Sequence, residues 1–394
     1  MKNERSGPAV SAGTVEHNNI NSPPKARRLF VRIITGLVSV SLVVMALLVF
    51  LYRDRLSAEA LQDLLGRNTP VISGATAYSY ENGTKQTFAL AGDGFALASA
   101  SGVQLLDNKG ATVVKEICSM ETPAVAACPS AALFFDIGGD TCRLAMFDGS
   151  CQDIAVGDCI ISASLNENAY FAVISEESGS KGLVQAFDPK GALLYQWYSG
   201  TGYPLSAQIS PDNRHLAVLC LTEEGSVLHV FQLNSEKEQA SCAFPGEVLF
   251  ELRYLSAAQL CLLGSEGMHF VSADGSKTSF YDFDGRYLSA YDFGGSGFAA
   301  LYLSEYRAGA GGQLLTLDGE GTVLGQCQVE GSLISLSAQG RQVLFAASDG
   351  LSLYSQALQR IEYSDELVTA KQALLRPRGD VLLLSSYAAE PFDF

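Results

Sequence analysis

From Thr69 onward the apolar residues fall in short runs of about four to six, broken by Gly, Asp, Asn and Ser. Short runs bounded by turn formers predict β-strands rather than helices. One type of run recurs after a polar turn. It begins at Phe95 (FALAS), Ala132 (ALFF), Tyr170 (YFAVIS), Leu216 (LAVLCL), Leu260 (LCLLGS), Phe298 (FAALYL), Val343 (VLFAAS) and Val381 (VLLLSS). The intervals are 37, 38, 46, 44, 38, 45 and 38 residues. A period near 40 with several strands per unit predicts an all-β fold, a β-propeller of about eight four-stranded blades, or seven if one unit is irregular.

The punctuation repeats with the strands. The recurring strand ends at Glu223-Glu224-Gly225, Glu266-Gly267 or Asp349-Gly350, where Gly supplies a positive φ at little cost. The next strand runs into Asp107-Asn108-Lys109-Gly110, Asp148-Gly149, Asp188-Pro189-Lys190-Gly191 or Asp318-Gly319-Glu320-Gly321. An Asp opening such a turn accepts hydrogen bonds from the backbone beyond it. The last unit holds three strands, in VTAKQAL, VLLLSS and Ala388–Phe394. The segment Ala75–Glu81 supplies its outermost fourth and hides the free edges.

Upstream the pattern changes. Ile33 to Tyr52 is twenty residues without a charge. As a helix it spans about 30 Å, the thickness of a bilayer core. A cleaved signal peptide has a shorter apolar region and a shorter basic start. A soluble helix is rarely apolar on every side. The expected organisation is a disordered cytoplasmic tail over 1–28, a transmembrane helix over 29–52, a short juxtamembrane helix or linker over 53–68 and the propeller over 69–394.

Charge sharpens this layout. The net charge is −16, yet residues 1–55 hold eight Lys/Arg against three acids, leaving −21 on the rest. Lys25, Arg27, Arg28 and Arg32 precede the apolar run, while Arg53 and Arg55 flank Asp54 after it. The positive-inside rule then puts the N-terminus in the cytoplasm and the propeller outside. The chain is expected at the cell membrane as a single-pass protein, with lipid contacting that one helix. An acidic body excludes nucleic acid as a partner class, since phosphates need a basic face.

Ile209-Ser210-Pro211-Asp212-Asn213-Arg214-His215-Leu216-Ala217-Val218 resembles the Ser-Pro-Asp-Gly-Lys-x-Leu-Ala-Val turn of bacterial WD-like, YVTN and TolB-like propellers, with Asn213 in the Gly place. Asn also reaches left-handed geometry. Over residues 25–394 the layout resembles an uncharacterised clostridial-type family of single-pass membrane proteins with an extracytoplasmic propeller. That resemblance implies fold and address and carries no catalytic residue across.

Reactive motifs are scarce. His215, His229 and His269 form no close metal-ligand pair, and the nine cysteines include no Cys-x-x-Cys. A two-residue turn at Asp148-Gly149 would set residue 151 opposite 146, so Cys142 and Cys151 are not partners. Cys220 and Cys261 lie in apolar runs and read as small core residues. Asp282-Phe283-Asp284-Gly285 reads as a hairpin turn, because it lacks the later acids of a calcium loop. No catalytic residue, metal ligand or cofactor is assigned. The loops 176–182, 222–226 and 304–312, with the turn 199–204, should share one face. That face gathers Tyr203, Glu223, Glu224, Tyr306 and Arg307 as candidate binding residues for a protein or small ligand. The leading expectation is a non-catalytic binding or scaffold module. A propeller enzyme (lyase, hydrolase or quinone-dependent dehydrogenase) would need polar groups converging on the axis or the loop face. A transmembrane sensor would need the tail.

Overall fold

The computed structural model describes residues 78–81, 83–235, 237–307, 311–366 and 368–394. The chain divides into two units, Met1–Ile72 and Ser73–Phe394, and the described residues belong to the second. The expected tail, membrane span and juxtamembrane helix therefore lie outside the described residues. Among the described residues no helix is long and apolar enough to cross a membrane.

The described residues form eight four-stranded antiparallel sheets. In the first blade, Thr87–Ala91, Gly94–Ser99, Gly102–Leu106 and Thr112–Ile117 pair in chain order. Blades 2 to 7 repeat this pattern through Arg360–Ser364. Blade 8 is composite: Gln372–Leu375, Val381–Leu384 and Ala388–Phe392 are joined at the outside by Tyr78–Ser79 from the N-terminal end. Tyr78 faces Ala389 and Ser79 faces Ala388. The ring thus closes as the sequence predicted, and the eight-bladed all-β fold is established.

The recurring apolar run is the second strand of every blade, and it is buried on both faces. Gly94–Ser99 and Phe171–Ser175, for example, are buried at every position. Sheets stacked face to face remove both faces from water, which explains runs without polar alternation. The hydrophobic clusters accordingly bridge neighbouring blades. Leu133, Phe135 and Leu144 of blade 2 pack with Phe171 and Phe187 of blade 3. Tyr80, just after the N-terminal strand, packs with Phe95 and Leu382 and joins blade 1 to blade 8. Its hydroxyl donates to the carbonyls of Ser385 (2.6 Å) and Ala388 (2.9 Å).

The Asp-led turns behave as their residues demand, whereas of the glycines expected at positive φ Gly225 has it (133°) and Gly267 and Gly350 do not, because each of those opens its strand in extended backbone. Asp107 Oδ1 accepts from the N–H groups of Lys109 and Ala111, both at 2.8 Å, and Asp188 repeats this with Lys190 and Ala192. Asn213 has φ 59°, the left-handed geometry expected of it in the Gly place. Two further local readings are corrected. Met146 N–H donates to Ser150 O across a three-residue turn, so Cys151 faces Ala145 and Cys142 faces Ile154. The extra turn residue shifts the register by one, and the two thiols remain apart in pairing. Asp282–Gly285 does not turn a hairpin. It carries the chain from the outer strand of blade 5, Thr278–Asp282, to the inner strand of blade 6, Tyr287–Asp292. Buried Phe283 anchors that crossing.

Inner strands of successive blades are tied by side chains. Ser164 Oγ donates to Ala207 O (2.6 Å), Ser335 Oγ to Ala373 O (2.8 Å) and Thr87 Oγ1 to Pro123 O (3.3 Å). Each bond joins one blade to the next and satisfies a backbone carbonyl that the sheet leaves free.

Candidate functional site

The alternating strand directions give the ring two faces. The loop face carries the connections from second to third strand and from blade to blade. The turn face carries the two other sets of hairpins. Glu223 and Glu224 form the tip of a two-residue turn in blade 4, between His215–Thr222 and Gly225–Gln232. Thr222 Oγ1 accepts from Glu224 N–H (3.2 Å) and donates to Gly225 O (2.8 Å), and both glutamates are exposed. Tyr203 opens the inner strand of the same blade and is 56% exposed. Lys181, from blade 3, donates to the Tyr203 hydroxyl at 3.1 Å and lies 4.8 Å from its ring centre. Tyr306 and Arg307 follow the second strand of blade 6, and Tyr306 is 69% exposed. The Arg307 guanidinium lies 5.8 Å from the Tyr287 ring centre.

All five expected residues therefore open onto the loop face, on blades 4 and 6. They are not one contiguous pocket, because blade 5 stands between them. Blade 5 adds exposed Val248 and Phe250 to the same face, and blade 6 adds Tyr287. These were missed by the sequence reading because each lies beside or within an inner strand, where an apolar residue reads as core. Among the described residues the loop-face connections carry sixteen carboxylates against five cations, and the turn-face connections nine against eight. The excess negative charge of the ring is thus concentrated on one side.

Asp158, Cys159 and Glu176 bring candidate ligand atoms within 4.8 Å of one another on the loop side of blade 3. Desolvation, then Asp158 and Glu176, pushes the Cys159 thiol up, so it offers no ready thiolate. Elsewhere burial pushes the Cys142 and Cys220 thiols up to about 12, as suits core residues. All nine cysteines are free.

A second grouping lies at the axis. The eight inner strands contain only three charged residues: Glu251 and Arg253 on Leu249–Ser256 of blade 5, and Asp292 on Tyr287–Asp292 of blade 6. All three sit on adjacent blades. Arg253 Nε lies 3.1 Å from Glu251 Oε1 but out of line, so Nε has no hydrogen-bond partner. Asp292 Oδ1 accepts from Gly294 N–H and its Oδ2 from Ala338 N–H, both at 2.8 Å. Burial raises both carboxyls: for Glu251 it outweighs Arg253, and for Asp292 it outweighs those two backbone bonds. The signal was present in the sequence. Aligning the units by period would have shown charge at inner-strand positions in two consecutive repeats only.

A family model matches residues 71–364. The chain belongs to DUF5711, a family of unknown function. No curated protein matches it by sequence. Among solved structures, BamB from Moraxella catarrhalis is 11% identical with a TM-score of 0.52, covering 81% of this chain and 100% of that one. The C-terminal WD40 domain of Sif2 is 10% identical with a TM-score of 0.56, covering 81% of this chain and 98% of that one. At such identities both likenesses concern the fold alone, and the function of this DUF5711 member must be argued from its own surfaces.

Proposed function

We propose that this protein is a non-catalytic binding module, tethered by one transmembrane helix with its propeller outside the cell membrane, and that it docks a protein partner on its loop face. The observation that carries the docking is the asymmetry of the faces. Exposed aromatic and apolar side chains (Tyr203, Val248, Phe250, Tyr287, Tyr306) gather on three successive blades of the strongly acidic side. Tyrosines with a cation at the ring suit the anchor positions of an interface. The surrounding carboxylates favour a partner with a basic surface and repel anionic polymers.

The address follows from the apolar run Ile33–Tyr52 and its flanking charges. A photo-crosslinking residue at 203 or 306 should give a discrete adduct in intact cells, while one at position 108 on the turn face should not. Equal labelling from both faces, or none from 203 and 306, would overturn the docking. Protease added to intact cells should degrade the propeller, and full protection would reverse the topology.

A further inference from the structure

The axial charges have a setting that the loop face does not share. In blades 3 to 7 the inner strand carries a bulge at its second or third position. The extra residues are Ile161, Leu205, Phe250, Ser289 and Ile334, and each is more exposed than, or as exposed as, the residue on either side. A bulge re-aims a side chain out of the pleat. On an inner strand, which has a neighbouring blade at either face, the open direction is the axis. Four of the five are apolar, so the bulges build a hydrophobic collar on the loop-face side of the channel. Arg253 lies three residues further along its strand than Phe250, roughly 10 Å deeper at the usual strand rise.

Below the collar, spare hydrogen-bonding capacity decides what is recognised. The Asp292 oxygens are both occupied by backbone N–H groups, and Glu251 faces the Arg253 guanidinium. The Arg253 guanidinium is ion-paired with Glu251 through Nε at 3.1 Å, yet 41% of its side chain is exposed and its terminal N–H groups carry no protein hydrogen bond. The group with spare donors is thus a partly paired cation, which can take a further acceptor. Across the ring the inner strands of blades 1 and 2 read TFALA and PAVAAC, without a charge. Phe250 and Tyr291, 6.5 Å apart between ring centres, supply aromatic surface beside the charges.

We infer that the channel at blades 5 and 6 binds a small amphiphilic carboxylate, its acid group held by the Arg253 guanidinium and its apolar body by the collar of bulged residues around Phe250. A guanidinium and a carboxylate pair through two parallel N–H···O bonds, which fixes orientation as well as affinity. The site shares Phe250 with the loop-face surface but turns on Arg253, and loss of carboxylate binding and loss of the adduct at 203 or 306 are read in different experiments.

Titration of the full-length protein with 4-phenylbutyrate, followed by calorimetry, tests the inference. We expect saturable binding, at least tenfold weaker in Arg253→Met, and tighter in Glu251→Gln, which removes the competing carboxylate. The neutral analogue 4-phenylbutan-1-ol should bind at least tenfold more weakly than the acid to the unmodified protein, a comparison that stands even if Arg253→Met fails to fold. Absence of binding, equal affinity for acid and alcohol, or full affinity in a folded Arg253→Met would overturn it.

Discussion

The closing seam of the ring offers a sharp energetic test. Arg376 is 1% exposed and Asp380 is 7% exposed, in the turn between the first two strands of blade 8. Asp380 receives Arg376 through Nε (3.1 Å) and Nη2, and Arg378 through Nε and Nη2, both at 2.7 Å. Arg376 also donates to Asp93 O of blade 1 at 3.4 Å. In Asp380→Asn the two arginines lose their counter-charge. Arg378, with 46% of its side chain exposed, turns to water at a cost of up to about 1 kcal/mol. Arg376 cannot. An uncompensated buried charge costs about 3–5 kcal/mol, and the retained amide oxygen places the loss near ~3 kcal/mol. Urea unfolding at pH 7 measures it. Hydrogen exchange should rise first in Gln372–Leu375 and Tyr78–Ser79. The sign with pH is also fixed. Burial pushes the Asp380 carboxyl up, but the Arg378 and Arg376 hydrogen bonds outweigh it and hold it below its ordinary 3.8. Its contribution is present above that value and is lost as pH falls through the lower folded one, so variant and parent should converge in strong acid. A loss below about 1 kcal/mol at pH 7, or an equal loss in Arg378→Gln, would refute the reasoning.

Other outcomes follow from named contacts. Gly110 has φ +78°, and a Cβ there would lie 2.3 Å from the Tyr78 ring, so Gly110→Ala should loosen the N-terminal strand; limited proteolysis near residue 78 would accelerate. Ser164→Ala leaves the Ala207 carbonyl without its inter-blade donor and should cost about 1 kcal/mol in denaturant unfolding. Glu251→Gln removes a carboxyl raised by burial. Such a group favours the folded state below its unfolded value and loses that contribution as pH rises through the folded one, so the variant should melt higher than the parent at pH 7.5 but not at pH 4. Failure of that difference to depend on pH would remove the burial argument.

The number of blades, their turns and the closure of the ring were legible along the chain. Each depends on local rules: apolar runs form strands, Asp and Gly shape turns, and a period near 40 residues counts units. Even the outermost strand of blade 8 was expected within Ala75–Glu81, where Tyr78–Ser79 now pairs. The errors were local too. One extra residue in the turn at Asp148 moved a register, and Asp282–Gly285 carried the right turn residues for the wrong connection.

The sequence by itself determined the fold, because a repeat unit encodes its own strands and needs only copies of itself to cover its faces. Tertiary structure decided where charge accumulates. Only the ring brings Glu251 and Asp292, about one repeat apart in the chain, to the same axis, and only the bulges set Phe250 above Arg253. It also placed Arg376 and Asp93, 283 residues apart, at one seam. The physical reason is that burial and dielectric belong to the packed ring, whereas strand and turn preferences belong to the segment.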